Sequence, residues 1–140
     1  MSVTTAEVAE IIRGVSARVV DPGFRRLSPD QIHEKAPGDL VTDLDRQAEG
    51  ELSRLLTSAG GGIVVGEESV HDDASVLQEL PTAELAWVID PIDGTKNYVN
   101  GSTHHAVMVA EVQHGVTTRS WIWQPQLGHM WIAERGNGLV

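Results

Sequence analysis

Three groups of carboxylates carry the chemistry that this sequence can offer. They are Asp39-Leu40-Val41-Thr42-Asp43-Leu44-Asp45, Gly66-Glu67-Glu68-Ser69 and Asp90-Pro91-Ile92-Asp93-Gly94-Thr95. The third has the clearest logic. Proline cannot donate to a β-ladder, so the chain is expected to leave its sheet at Pro91. Asp90 and Asp93, with the free carbonyl of Ile92 between them, can then turn toward one point. All these donors are hard oxygens, and oxygen sets completed by water suit Mg²⁺ and select against zinc. Gly94 and Thr95 follow at an expected helix start, where unpaired backbone N–H groups attract an anion. Carboxylates that hold a cation beside an anion-binding turn make a phosphoryl site. Mg²⁺ there would lower the pKa of a bound water and stabilise the leaving oxygen. If the strands ending at Glu67 and Asp90 are neighbours, Glu67, Asp90 and Asp93 converge at one sheet edge. Such a trio repels itself unless a cation or protons neutralise it.

Each group alone has a plainer explanation. Asp-Pro and Asp-Gly pairs mark ordinary turns, and Glu67-Glu68 alone reads as a solvated strand end. Thr42 and Asp45 are explained about as well by helix capping as by catalysis. The joint order of the three groups, each at the end of an element, is what favours function.

The elements that must position them follow from hydrophobic period. The first half reads as helical. Val8, Ile11, Ile12, Val15 and Val19 share one helix face, Thr4 and Glu7 form a capping box, and Pro22-Gly23 closes the helix. A second helix is expected from Asp43 to Ala59, capped by Thr42 and stopped by Gly60-Gly61-Gly62. It should bury Leu44, Ala48, Leu52, Leu55 and Leu56. The period then shortens. Ile63-Val64-Val65 and Leu85 to Ile89 read as strands, separated by a polar segment with one helical turn at Val76 to Leu80. Further strands are expected at Ala106–Val112, Val116–Trp123 and His129–Ala133. Turns at His114-Gly115 and Pro125 to Gly128 make these neighbours antiparallel. The fold class is therefore α+β, a two-layer sandwich of two helices on a mainly antiparallel sheet.

Composition narrows the function. Twenty acidic against ten basic residues leave a net charge of −10, which repels phosphate backbones and anionic lipid. Neither nucleic acid nor a membrane surface is expected as a partner. The absence of cysteine excludes disulfides, a thiolate zinc site and a thiol nucleophile. The opening residues lack the basic start and apolar run of a signal peptide, and no stretch approaches the roughly 20 apolar residues of a membrane span. A cytoplasmic protein is expected. Leu139-Val140 opens an apolar run that stops at once, which suggests a truncation. Trp121 and Trp123 share a strand face and are assigned to core or subunit packing; His71-Asp72-Asp73 is assigned to a solvated loop, and His104-His105 to a loop.

The segment from Trp87 to Tyr98, reading WVIDPIDGTKNY, resembles the most specific signature of the inositol monophosphatase family of Mg²⁺-dependent, lithium-sensitive phosphatases. Gly66-Glu67-Glu68-Ser69, and Asp39 to Thr42 followed by Asp45, are similar to that family's two upstream motifs, in the same order. The resemblance implies that Glu67, Asp90 and the Ile92 carbonyl hold a first Mg²⁺, with Asp90 and Asp93 reaching a second. Glu67 and solvent would hold a third ion more weakly. Gly94 and Thr95 would give backbone N–H groups to the phosphate. Thr95, bonded to Asp45, would orient and activate the attacking water, with Glu68 as a supporting acid. The reaction implied is in-line hydrolysis of a phosphomonoester without a covalent phosphoenzyme.

Family members are about twice as long as this chain, so residues 1–140 correspond to an N-terminal metal- and phosphate-binding domain without its C-terminal partner. The partner domain would add another Asp to the second metal and most of the groups that grip the alcohol. Lys35 resembles an active-site lysine, although its spacing to Asp39 is shorter than the family's. Homodimers are the family's usual assembly. Inositol monophosphate is the favoured substrate, with histidinol phosphate, a 3′-phosphoadenosine nucleotide and fructose 1,6-bisphosphate as alternatives. From another class, the chain would be a non-catalytic half retained as a binding or assembly module.

Overall fold

A computed structural model describes residues 2–140. Helix α1 (Thr5–Val15) starts where the Thr4 hydroxyl accepts the Glu7 N–H at 3.1 Å, so one half of the expected capping box forms. The chain continues through a π-helical turn at Ser16–Val20 and a single α-turn, α2 (Asp21–Gly23), which tolerates Pro22 in its first turn and ends where Phe24 becomes extended. An antiparallel hairpin follows, β1 (Ile32–Ala36) and β2 (Asp39–Thr42), joined by Pro37-Gly38 with Gly38 at φ 79°. The first half is thus not wholly helical. The strands of this hairpin are short, β1 is largely exposed and β2 buries only Val41 and Thr42, so they lack the apolar alternation that would have revealed them.

Helix α3 (Asp43–Gly60) is capped by Thr42 and ends at Gly61, whose φ of 76° suits glycine. Its inward stripe is Asp45, Ala48, Glu49, Leu52 and Leu56; Leu44 and Leu55 are only partly covered. Strand β3 (Ile63–Gly66) passes into α4 (Glu67–Asp72) and a 3₁₀ segment at Ala74–Glu79, slightly earlier than the expected helical turn. His71 and Asp72 therefore close a short helix rather than lie in a loop. Strand β4 (Ala86–Asp93) leads to α5 (Thr95–Val99). A meander of β5 (Ala106–Gln113), β6 (Val116–Gln124), β7 (His129–Glu134) and β8 (Gly138–Leu139) completes the chain.

The main sheet runs β3-β4-β5-β6-β7-β8. Only the β3–β4 pairing within it is parallel, with Gly66 opposite Ile89; the others are antiparallel. The architecture is the expected α+β sandwich. Alternate residues of β4, β5 and β6, including Trp87, Ile89, Val109 and Trp121, face α1 and α3 and form the core with Ile12 and Leu52. Trp121 is fully buried, 6.2 Å from Trp87 between ring centroids, and donates to the Thr5 carbonyl at 3.2 Å. Trp123 packs at the edge of that core. The opposite face of the sheet bears a cavity of ≈ 560 Å³ whose lining includes Val88, Met108, Ala110 and Ile122. Among the described residues no helix is long and apolar enough to cross a membrane.

Candidate functional site

Parallel pairing sends β3 and β4 out of the sheet at the same edge, which brings Glu67 and Asp90 together. Pro91 does not end the ladder as its chemistry suggested. Asp90 pairs with Met108 and Asp93 with Ala106, so three steps on β4 match two on β5. This bulge absorbs the missing donor of Pro91 and re-aims the carboxylates that flank it.

Asp90 is the centre of the acidic edge. Its carboxyl shares the wall of one small cavity with those of Glu67 and Asp93. Burial, then the neighbouring Glu67 and Asp93, push Asp90 up to about 9. Glu67 moves the other way: burial opposes its charge, but the hydrogen bond with Asp90 and the nearby Lys35 ammonium hold it below the usual carboxylate range. Oδ1 of Asp90 and Oε2 of Glu68 are buried without a hydrogen-bond partner. Among the described residues no three His, Asp or Glu side chains already stand as a preassembled metal-ligand group. Beside them lies a cavity of ≈ 230 Å³ lined by Asp39, Glu67, Asp90, Ile92, Asp93, Gly94 and Thr95, among others.

Thr95 opens α5, preceded by Gly94 at φ 82° and ψ 42°, a left-handed turn that glycine enters without strain. The Thr95 hydroxyl lies 2.9 Å from Asp45 Oδ1 and 2.9 Å from the Ile92 carbonyl. Asp45 is 1% exposed. Its Oδ2 accepts from the Thr42 N–H at 2.8 Å and the Thr42 hydroxyl at 2.6 Å, so capping and orientation of Thr95 use the same carboxylate. Burial raises the Asp45 pKa, against the hydrogen bonds from Thr42 and Thr95.

The hairpin supplies a residue that its spacing had placed in doubt. Lys35 reaches Glu68 at 3.0 Å and Glu67 at 3.4 Å, with only 6% of its side chain exposed. Burial opposes its charge, yet Glu68, Glu67 and Asp39 hold the ammonium above the ordinary lysine value. A bulge between Glu34 and Ala36 displaces this part of β1, so spacing along the chain did not reveal the contact. Glu49, which the sequence reading passed over, is 7% exposed and sits behind Glu68. Its signal was an acidic residue one turn beyond Asp45 on a stripe that is otherwise apolar. The two histidines of the 104–105 loop differ: His104 is exposed, whereas His105 packs between Phe24 and Tyr98 with both ring centroids at 5.0 Å. Neither joins the acidic edge.

The sequence matches the profile described as the inositol monophosphatase family over residues 2–140. An inositol-1-monophosphatase of Mesorhizobium japonicum is 30% identical over 132 residues, covering 88% of this chain and 44% of that protein. A protein named Nus factor SuhB from Vibrio cholerae is 33% identical over 108 residues, covering 77% of this chain and 39% of the relative. The structure of an inositol monophosphatase from Thermotoga maritima superposes with a TM-score of 0.77 at 25% identity, over 94% of this chain and 48% of that one. The chain thus spans less than half the length of these relatives.

Proposed function

Since this chain belongs to the inositol monophosphatase family, we propose that it is the metal- and phosphate-binding part of a Mg²⁺-dependent phosphomonoesterase acting on a small phosphorylated alcohol. Inositol monophosphate is the first choice of substrate; histidinol phosphate and a 3′(2′),5′-bisphosphate nucleotide are the alternatives. The observation that carries the reading is the pair of orphaned buried oxygens, on Asp90 and Glu68, at an edge where Asp90 is pushed up to about 9 by its acidic neighbours. Orphaned buried carboxylate oxygens call for a partner, and Lys35 reaches only the other oxygen of Glu68. The donors are all oxygen, so a hard divalent cation fits.

Glu67, Asp90, Asp93 and the Ile92 carbonyl would hold Mg²⁺, which when bound supplies charge stabilisation to the phosphoryl oxygens. The chain's own groups do the rest. The Gly94 and Thr95 amides receive the phosphate at the left-handed turn. The Thr95 hydroxyl gives its proton toward Asp45, which leaves its lone pairs to accept a proton from the incoming water. Thr42 fixes Asp45 for that task through both its N–H and its hydroxyl. Glu68, held by Lys35, stands as a supporting acid.

A second reading, a non-catalytic binding or assembly module, draws support from relatives that carry the name Nus factor SuhB. One experiment separates the two. Mg²⁺ binding, and phosphate release from inositol monophosphate, histidinol phosphate and a 3′(2′),5′-bisphosphate nucleotide with and without Mg²⁺, are measured for the unaltered protein and for Asp93→Asn. The phosphatase reading expects Mg²⁺-dependent release that Asp93→Asn abolishes. Unchanged turnover in that variant defeats it, and Mg²⁺ binding without turnover on any of the three substrate classes favours the module.

A further inference from the structure

Asp45 is not the only carboxylate that α3 turns inward. Glu49 lies one turn further along, and its two oxygens are both spent on backbone donors of another element. Oε1 accepts the Glu68 N–H at 2.8 Å, and Oε2 accepts the Ser69 N–H at 3.0 Å. These amides belong to the first turn of α4, where a helix has no acceptors of its own. Among the described residues Glu49 forms no ion pair. Burying a second carboxylate behind Glu68 is expensive: burial first, then the charges of Glu68 and Glu67, raise the Glu49 pKa against the two backbone hydrogen bonds.

Gly66 is explained by the same carboxylate. Its φ of −102° and ψ of 153° are open to any residue, so the backbone does not demand glycine there. A Cβ built on it would instead collide with the Glu49 carboxylate. An ordinary cap needs neither cost, because Ser or Asp at position 66 would serve the same amides locally. What the distant carboxylate adds is a fixed relation between α4 and α3. Helix α3 already holds Asp45 against Thr95.

We infer that Glu49 is a positioning residue: by fixing the Glu68 and Ser69 amides, its carboxylate sets where the Glu67 and Glu68 side chains stand and hence how tightly the acidic edge grips a divalent cation. The inference rests on the cation reading of that edge given above. Helix α3 then acts as one ruler for the site, placing Thr95 through Asp45 and the β3–α4 carboxylates through Glu49.

The test is Mn²⁺ titration calorimetry on the whole chain for wild type, Glu49→Ala, Glu49→Gln, Gly66→Ala and the double variant Glu49→Ala/Gly66→Ala. Melting in chelator and amide exchange at Glu68 and Ser69 accompany it. Glu49→Ala and Gly66→Ala are each expected to weaken Mn²⁺ binding by about 10–100-fold and to speed exchange of both amides. Glu49→Gln keeps one acceptor and the side chain's shape, so it should fall between wild type and alanine and remain folded. Gly66→Ala should add little in the Glu49→Ala background, because the collision is gone. Folded Glu49→Gln and Gly66→Ala proteins that bind Mn²⁺ within about twofold of wild type would overturn the inference alone. A wild-type chain that takes up no Mn²⁺ would overturn the cation reading, and the inference with it.

Discussion

Thr95 and Asp45 lie 50 residues apart, yet the hydroxyl of one sits 2.9 Å from Oδ1 of the other. The remaining Asp45 oxygen is held from two directions by Thr42. A carboxylate so constrained can take a proton from one direction only.

Replacement of Thr95 by alanine should therefore lower phosphate release by about 10²–10⁴-fold, the usual worth of a positioned proton acceptor. Mn²⁺ affinity should change little, because the hydroxyl is not among the groups assigned to the ion. Thr95→Ser keeps the hydroxyl and should retain most of the rate. Steady-state kinetics beside calorimetry check both parts.

The Asp90 proton makes an acid–base prediction on stability. A carboxyl raised to about 9 keeps its proton in the folded chain, whereas the unfolded chain releases it near the usual value of 3.8. The folded state then binds more protons throughout that interval, so this group's contribution to stability falls as pH rises through it. Chelator-treated protein should show a steeper decline in Tm from pH 5 to pH 8 than Asp90→Asn. Saturating Mg²⁺ should flatten the wild-type curve. Parallel curves for wild type and Asp90→Asn would refute the prediction.

His105 predicts the opposite slope. Burial holds its imidazole below the ordinary value, against the Ser102 carbonyl and the charge of Asp21. Its Nε2 is buried without a partner, so a second proton would be stranded between Phe24 and Tyr98. The unfolded chain takes that proton first, and stability is lost as pH falls below about 6.5. Urea unfolding from pH 7.5 to pH 5 should show a decline that is shallower in His105→Phe.

Leu52 is fully buried on α3 between the helix and the sheet, in the same stripe as Asp45 and Glu49. Leu52→Ala should cost about 2–5 kcal/mol in urea unfolding through the cavity it leaves. Because that stripe sets the depth of α3 against the sheet, Mn²⁺ affinity in the folded fraction should weaken as well.

Elements with a strong period were legible in the sequence, and so was the edge where they end. Helix α3, the β5–β6–β7 meander and the grouping of Asp90 with Glu67 were all written in local pattern and turn chemistry. The β1–β2 hairpin was not, because β1 is largely exposed, β2 buries only Val41 and Thr42, and only Pro37-Gly38 hinted at the turn. Pro91 misled for a physical reason: a proline forbids a ladder bond but not a strand, and the bulge opposite Met108 and Ala106 absorbs the loss. Lys35 and Glu49 were hidden because their partners are far along the chain, and a polar residue on an apolar stripe has no period of its own.

The lone parallel pairing of the main sheet has a consequence for the order of assembly. β5 to β8 close through tight hairpins and short turns and β4 joins them across residues 94–105, whereas β3 meets β4 only after residues 67–85 have looped back. Closing a longer loop costs more chain entropy, and pairings of this kind form after local ones. The meander can thus nucleate with its acids still apart, and the electrostatic penalty of crowding Glu67 onto Asp90 falls on the final docking step. A divalent ion that relieves it would accelerate the end of folding and leave its beginning untouched.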